Sequence, residues 1–140
     1  MRLLPFVFAC GFASVASAGE PSFLNEVLPV LTKAGCNAGS CHGKGSGQNG
    51  FRLSLRGYDA DSDYYWLVRE FASRRVQSTE PESSLILLKA TGQATHEGGR
   101  HFDAASPEYA ILRKWIAAGC PGPNKNDAKI LKLTVSPGRV

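Results

Sequence analysis

Two thiols followed at once by an imidazole stand early in this chain, in Cys36-Asn37-Ala38-Gly39-Ser40-Cys41-His42. The spacing is C-x4-C-H. Two cysteines can add to the two vinyl groups of a porphyrin, and a histidine directly after the second thioether is then carried beneath the iron as its proximal ligand. The common form of this loop has two residues between the cysteines. Four make it larger, and Ala38, Gly39 and Ser40 are small enough to let it bulge. Two other chemistries use the same residues. Cys36 and Cys41 could pair as an ordinary disulfide with His42 a bystander, or join His42 and a remote Cys120 or histidine around zinc. Side chains of consecutive residues such as Cys41 and His42 usually diverge, which weighs against one tetrahedral ion.

A second axial ligand would have to come from elsewhere. The only methionine is Met1, within a segment expected to be cleaved, so the common His/Met pairing is excluded by composition. The candidates are His96, His101, Cys120 or an open position. His96 lies in an irregular stretch before the last helix and is followed by Gly98-Gly99, which would let the backbone pass close to a flat cofactor. His101 and Cys120 read more simply as a surface histidine and a free thiol. Bis-histidine and histidine/thiolate ligation both favour ferric iron over His/Met, so a low reduction potential is expected.

The elements that must position these residues begin with an address. Met1-Arg2 is followed by an apolar run from Leu3 to Val15 and by Ala16-Ser17-Ala18, the pattern of a secretory signal peptide over residues 1–18 with Gly19 as the mature start. The protein is therefore expected to be exported, periplasmic or extracytoplasmic, with no integral membrane segment after cleavage. Removal of Cys10 leaves Cys36, Cys41 and Cys120, an odd set in a compartment that permits disulfides. The whole chain has 140 residues, a net charge of +4, 43% hydrophobic and 20% charged residues. That balance suits one globular domain and gives no ground for nucleic acid as a partner.

Helices are expected over Phe23–Lys33, capped by Ser22, perturbed by Pro29 and ended by Gly35; over Tyr64–Arg75, with Asp61 to Asp63 as caps; over Glu82–Lys89, opened by Pro81 and closed near Gly92; and over Tyr109–Ala118, started by Ser106-Pro107-Glu108. Ile111, Leu112, Trp115 and Ile116 should face inward. Residues 39–50 read as a mobile glycine-rich loop, and Phe51–Arg56 alternates like a short extended strand. Residues 124–140 read as a linker and the start of a truncated β domain, with Ile130 to Val135 alternating. The fold class is thus mostly α, with a short extended segment and a C-terminal β-like tail. Arg52, Arg56, Arg69, Arg74, Arg75 and Arg100 read as mostly solvated, with Arg100 the best candidate to pair with a haem propionate. Asp61, Asp63, Glu80 and Glu82 read as helix-start acids. No Ser-His-Asp order, nucleotide loop or HExxH is present, so an electron carrier is expected rather than an enzyme.

From Phe23 to Pro123 the chain resembles the cytochrome c-like domain at the N-terminus of large exported planctomycete proteins. The resemblance rests on Val27-Leu28-Pro29-Val30-Leu31 leading into Gly35 to Gly43, on Gly50-Phe51-Arg52-Leu53-Ser54-Leu55-Arg56-Gly57-Tyr58-Asp59, on Thr91-Gly92 with His96-Glu97-Gly98-Gly99, and on Tyr109 through Trp115-Ile116 to Gly119. It implies a small helical domain over residues 19–123 around one covalent haem c held by Cys36 and Cys41, with His42 as proximal ligand; the distal position stays open among His96, the first candidate, His101, Cys120 and no ligand. The expected function is single-electron transfer with an unidentified redox partner protein. The alternatives are a haem enzyme or gas-binding module with an open distal site, and a disulfide- or zinc-stapled interaction module without a redox role.

Overall fold

The computed structural model describes residues 19–71 and 74–136; the expected signal peptide lies outside the described residues. The described chain is mostly helical, and among its residues the only β pairing is an isolated bridge between Gln48 and Phe51. In order come a π turn at Phe23–Val27 running into α1 (Leu28–Lys33), α2 (Ala60–Tyr64) running into a second π turn at Tyr65–Arg69, then α3 (Leu85–Ala90) and α4 (Pro107–Ala117). Short 3-10 turns cover Leu55–Gly57 and Pro81–Ser83. No helix among the described residues is long and apolar enough to cross a membrane.

Pro29 does not break the first helix. It stands in the first turn of α1, where its missing N–H costs little. The turn before it relaxes into π spacing, with Leu28 N–H donating to the Phe23 carbonyl. Ser22 caps the start through the Asn25 N–H. At the other end Gly35, with φ +76°, donates to Thr32 O while Cys36 donates to Leu31 O at 2.9 Å. This Schellman turn delivers Cys36 directly from the helix into its loop. The same device ends α4. Gly119 (φ +84°) donates to Ile116 O, and Cys120 donates to Trp115 O at 3.0 Å.

The core lies between the first and last helices. Phe23 meets Tyr64 edge-on at 5.4 Å and Trp115 at 5.7 Å. Leu112, Trp115 and Ile116 are fully buried, as the spacing requires, whereas Ile111 is only partly covered. Burial of each of the large side chains Phe23 and Trp115 contributes on the order of 2–3 kcal/mol. The Trp115 indole N–H is satisfied by Pro121 O, and the Tyr64 hydroxyl by Cys120 O.

Three expectations need correction. The helix placed at Tyr64–Arg75 begins earlier and ends at Arg69, because Asp59 takes the cap by accepting from Ser62 N–H. Asp63 stands in the first turn of α2 as read, and it is also a buried clamp: its carboxylate accepts from the N–H and hydroxyl of Ser54. The Phe51–Arg56 stretch is not a strand, because its N–H groups go elsewhere. Leu53 donates to His42 O, Ser54 to Asp63 and Arg56 to Asn37 O. Nor does 128–136 form a strand; Ile130, Leu131, Leu133 and Val135 are exposed.

Burial pushes the Asp63 carboxyl above its ordinary range, against the lowering effect of the Ser54 hydrogen bonds. A carboxyl whose pKa is higher folded than unfolded binds its proton more tightly in the native state, so its contribution to stability falls as pH rises through that window. Asp63→Asn protein is expected to lack this loss, so from pH 4 to pH 6 its stability in denaturant should rise more, or fall less, than that of wild type. Equal slopes would place no titration at Asp63.

Candidate functional site

The cysteine loop is folded on its own backbone. His42 N–H donates to Cys36 O at 3.0 Å, Cys41 to Ala38 O, and Gly43 to Ala38 O. Asn37 is buried at its centre and donates to Thr32 Oγ1. A Cβ at Gly43 would collide with the Asn37 carbonyl oxygen and stand 2.6 Å from its carbon. Glycine is therefore a steric requirement at that position. Cys36 and Cys41 are half-buried and not joined to each other. Burial, with the adjacent Cys41, pushes the Cys36 thiol up to about 11.

His42 is oriented by a tight turn. Asn49 (φ +50°) and Gly50 (φ +71°) both adopt the left-handed conformation, and Gln48 and Phe51 exchange two backbone hydrogen bonds of 2.9 Å. This Asn-Gly turn is the strongest short hairpin signal a sequence carries. It corrects the reading of 39–50 as a uniformly mobile loop. Gly47 is buried, and a Cβ there would collide with Phe51 O. The turn presents the Phe51 carbonyl to His42 Nδ1 at 3.0 Å and lays the Phe51 ring 4.6 Å from the imidazole. Arg75 covers that ring, its guanidinium 4.3 Å from the centroid. Arg75 itself is buried, bound to Trp66 O at 2.9 Å and to Glu70 at 2.6 Å. It is a structural cation that ties off the end of the second π turn, not a solvated one.

The chain's three histidines converge. His42 and His96 are nearly parallel, 9° apart, with ring centres separated by 6.3 Å; His101 lies 5.5 Å from His96. His96 Nδ1 is held by Gly99 O at 3.0 Å, as His42 Nδ1 is held by Phe51 O. Among the described residues neither Nε2 has a hydrogen-bond partner. A carbonyl at Nδ1 fixes the proton there and leaves Nε2 as the coordinating nitrogen. Burial lowers the His42 pKa against the raising effect of the Phe51 hydrogen bond, and the nearby His96, Arg75 and His101 add to the lowering. A neutral imidazole is the form that binds a metal.

The two nearly parallel rings stack on each other, and with Nδ1 held by a carbonyl in both, Nε2 is the nitrogen each would offer to a haem iron. A haem iron needs only two protein ligands, since the porphyrin supplies the others. No group of three His, Cys, Asp or Glu side chains among the described residues could hold a metal ion, so the residues do not assemble the protein-only set that zinc needs. Cys120 is buried, its carbonyl accepting from the Tyr64 hydroxyl, and burial raises its thiol to about 11. It is protonated at neutral pH and poorly suited to ligation. Arg100 pairs with Asp103 at 2.7 Å in an exposed bridge. Gly98 packs on the histidines: a Cβ would lie 2.9 Å from His96 Cε1 and 3.3 Å from His101 Nε2. A cleft of about 340 Å3 borders the loop, lined by Thr32, Asn37, Ala38, Gly39, Leu55 and Arg56. His42 is not in its wall, so the imidazole pair rather than the cleft marks the site.

The fold and site thus define a small, mostly helical domain with a two-cysteine loop and a facing pair of backbone-anchored imidazoles. Compared with known proteins, the chain matches no family model, no curated protein and no solved structure.

Proposed function

We propose that this chain is an exported monohaem c-type cytochrome domain that passes single electrons, with Cys36 and Cys41 as the thioether residues, His42 as proximal ligand and His96 as distal ligand. The observation that carries this reading is the pair of imidazoles 6.3 Å apart, each with Nδ1 tied to a carbonyl, beside a C-x4-C-H loop. When bound, the haem supplies the one-electron chemistry. The chain's own residues do the rest. Gly43 and Asn37 shape the loop that sets the two thiols. Phe51 and Gly99 orient Nε2 of His42 and His96. Phe51 and Arg75 cover the outer side of His42 and shield it from water. The redox partner is a protein, and the signal-peptide pattern of residues 1–18 supports a site outside the cytoplasm.

The test is to export the full chain from cells able to mature c-type cytochromes and weigh it after acid–acetone extraction. Wild type is expected to retain the mass of one haem, and Cys36→Ser with Cys41→Ser to retain none. A wild-type mass two hydrogens below that of the reduced chain, without haem, would instead identify a Cys36–Cys41 disulfide and overturn the proposal. A reduction potential below zero is expected from bis-histidine ligation, and a value well above zero would count against His96.

A further inference from the structure

One short segment holds His42 at three points. Leu53 N–H donates to the His42 carbonyl at 2.7 Å, Phe51 O faces His42 Nδ1 at 3.0 Å, and the Phe51 ring lies 4.6 Å from the imidazole. Among the described residues no strand flanks 51–53 to set its register. Burial of Leu53 keeps the segment close but does not orient its peptide groups. Arg75 covers the Phe51 ring, yet its guanidinium bonds to Trp66 and Glu70. The directional hold comes from the next residue. Ser54 N–H and hydroxyl both donate to the Asp63 carboxylate, the hydroxyl at 2.8 Å, and the Ser54 oxygen accepts from Asp59 N–H at 3.0 Å. Asp63 has no exposed surface, and it is carried on α2, whose start Asp59 caps. An ionised carboxylate accepts on both oxygens, so it takes both Ser54 donors at once in charge-assisted bonds.

We propose that Asp63 is a positioning residue for His42: through Ser54 it fixes the backbone of residues 51–53, and through that backbone the Nδ1 hydrogen bond and the direction of Nε2. A histidine ligand is oriented by what its other nitrogen bonds to, and that partner is only as well placed as the shell behind it. The proposal rests on the cytochrome reading for the use made of Nε2, but not for the positioning itself. Asp63→Asn keeps an acceptor for Ser54 N–H and offers an amide N–H to the Ser54 oxygen, which preserves a two-point hold. Asp63→Ala removes both points.

The experiment follows solvent exchange of the His42 Nδ1 proton by NMR in the full exported chain, isotope-labelled and chemically reduced, a state in which low-spin haem iron is diamagnetic. The control is the Trp115 indole N–H, which bonds to Pro121 O at 2.9 Å in the core and reports opening of the whole fold. In Asp63→Ala protein the His42 proton is expected to exchange at least about tenfold faster than in wild type, with Trp115 unchanged. Asp63→Asn should stay within about threefold of wild type, and Ser54→Ala, which loses the hydroxyl bond but keeps the N–H bond, should fall between. Where Asp63→Ala does not fold, Ser54→Ala decides. His42 exchange equal to wild type in these alanine variants, or His42 and Trp115 accelerating together, would overturn the proposal. A chain without haem whose His42 still answers to Asp63 would refute the cytochrome reading alone, and a haem-bearing chain whose His42 does not would refute this proposal alone.

Discussion

Exported His96→Ala protein is expected to bind carbon monoxide in the reduced state at least about 100-fold more tightly than wild type, because an internal ligand that must be displaced reduces apparent affinity by the fraction of time the site is open. The same variant should shift from a low-spin to a high-spin absorption spectrum. His101→Ala should do neither, since His101 stands beside His96 and its closest ring contact is to that residue. This pair of variants separates the two histidines that sequence reasoning left as alternatives. It also separates an electron carrier from a gas-binding module, for which wild type itself would take up the ligand rapidly. Carbon monoxide binding unchanged by His96→Ala but increased by His101→Ala would reverse the assignment.

The second large effect is steric. Gly43→Ala forces a Cβ into the Asn37 peptide, whose carbon would lie 2.6 Å away in backbone that has no side-chain freedom to retreat. The loop must open, and with it go the hydrogen bonds from His42 to Cys36, from Gly43 to Ala38 and from Leu53 to His42. A loss of about 3 kcal/mol is expected, corresponding to a Tm drop on the order of 12 °C for a chain of this size. The matched control is Gly45→Ala. Nothing lies within 4 Å of a Cβ there and its φ is not positive, so its stability should change by less than about 0.5 kcal/mol. Thermal unfolding of the two variants checks this, and equal Tm values would show that the loop yields.

Much of the helical frame was legible in local signals. Ser22 and Ser106 cap the helices they were expected to cap, and Gly35 and Gly119 end them, because these effects depend on residues a few positions apart. The cysteine loop was legible as a spacing, and His96 as a neighbour of two glycines. What escaped was decided by distant partners. Asp63 is in the helix's first turn as it reads, but nothing local shows that Ser54, nine residues away, donates to it twice. The alternation of Phe51 to Arg56 suggested a strand, but an alternating pattern needs a neighbouring strand to become one, and the available acceptors are His42, Asp63 and Asn37. Arg75 looked solvated because nothing in its local sequence reveals that Phe51 and the end of a helix close over it. The Asn49-Gly50 turn was legible in principle. It was hidden by reading the whole glycine-rich stretch as one loop. The convergence of three histidines separated by up to 59 positions is a property of the folded chain alone.

An absorption spectrum of the full exported chain, recorded oxidised and then reduced, tests the central claim most directly. The account predicts a covalently attached haem with sharp low-spin bands in both states and no charge-transfer band of five-coordinate iron, as ligation by both His42 and His96 would require. A chain that emerges colourless, or a pigment that a mild organic extraction removes, would contradict it.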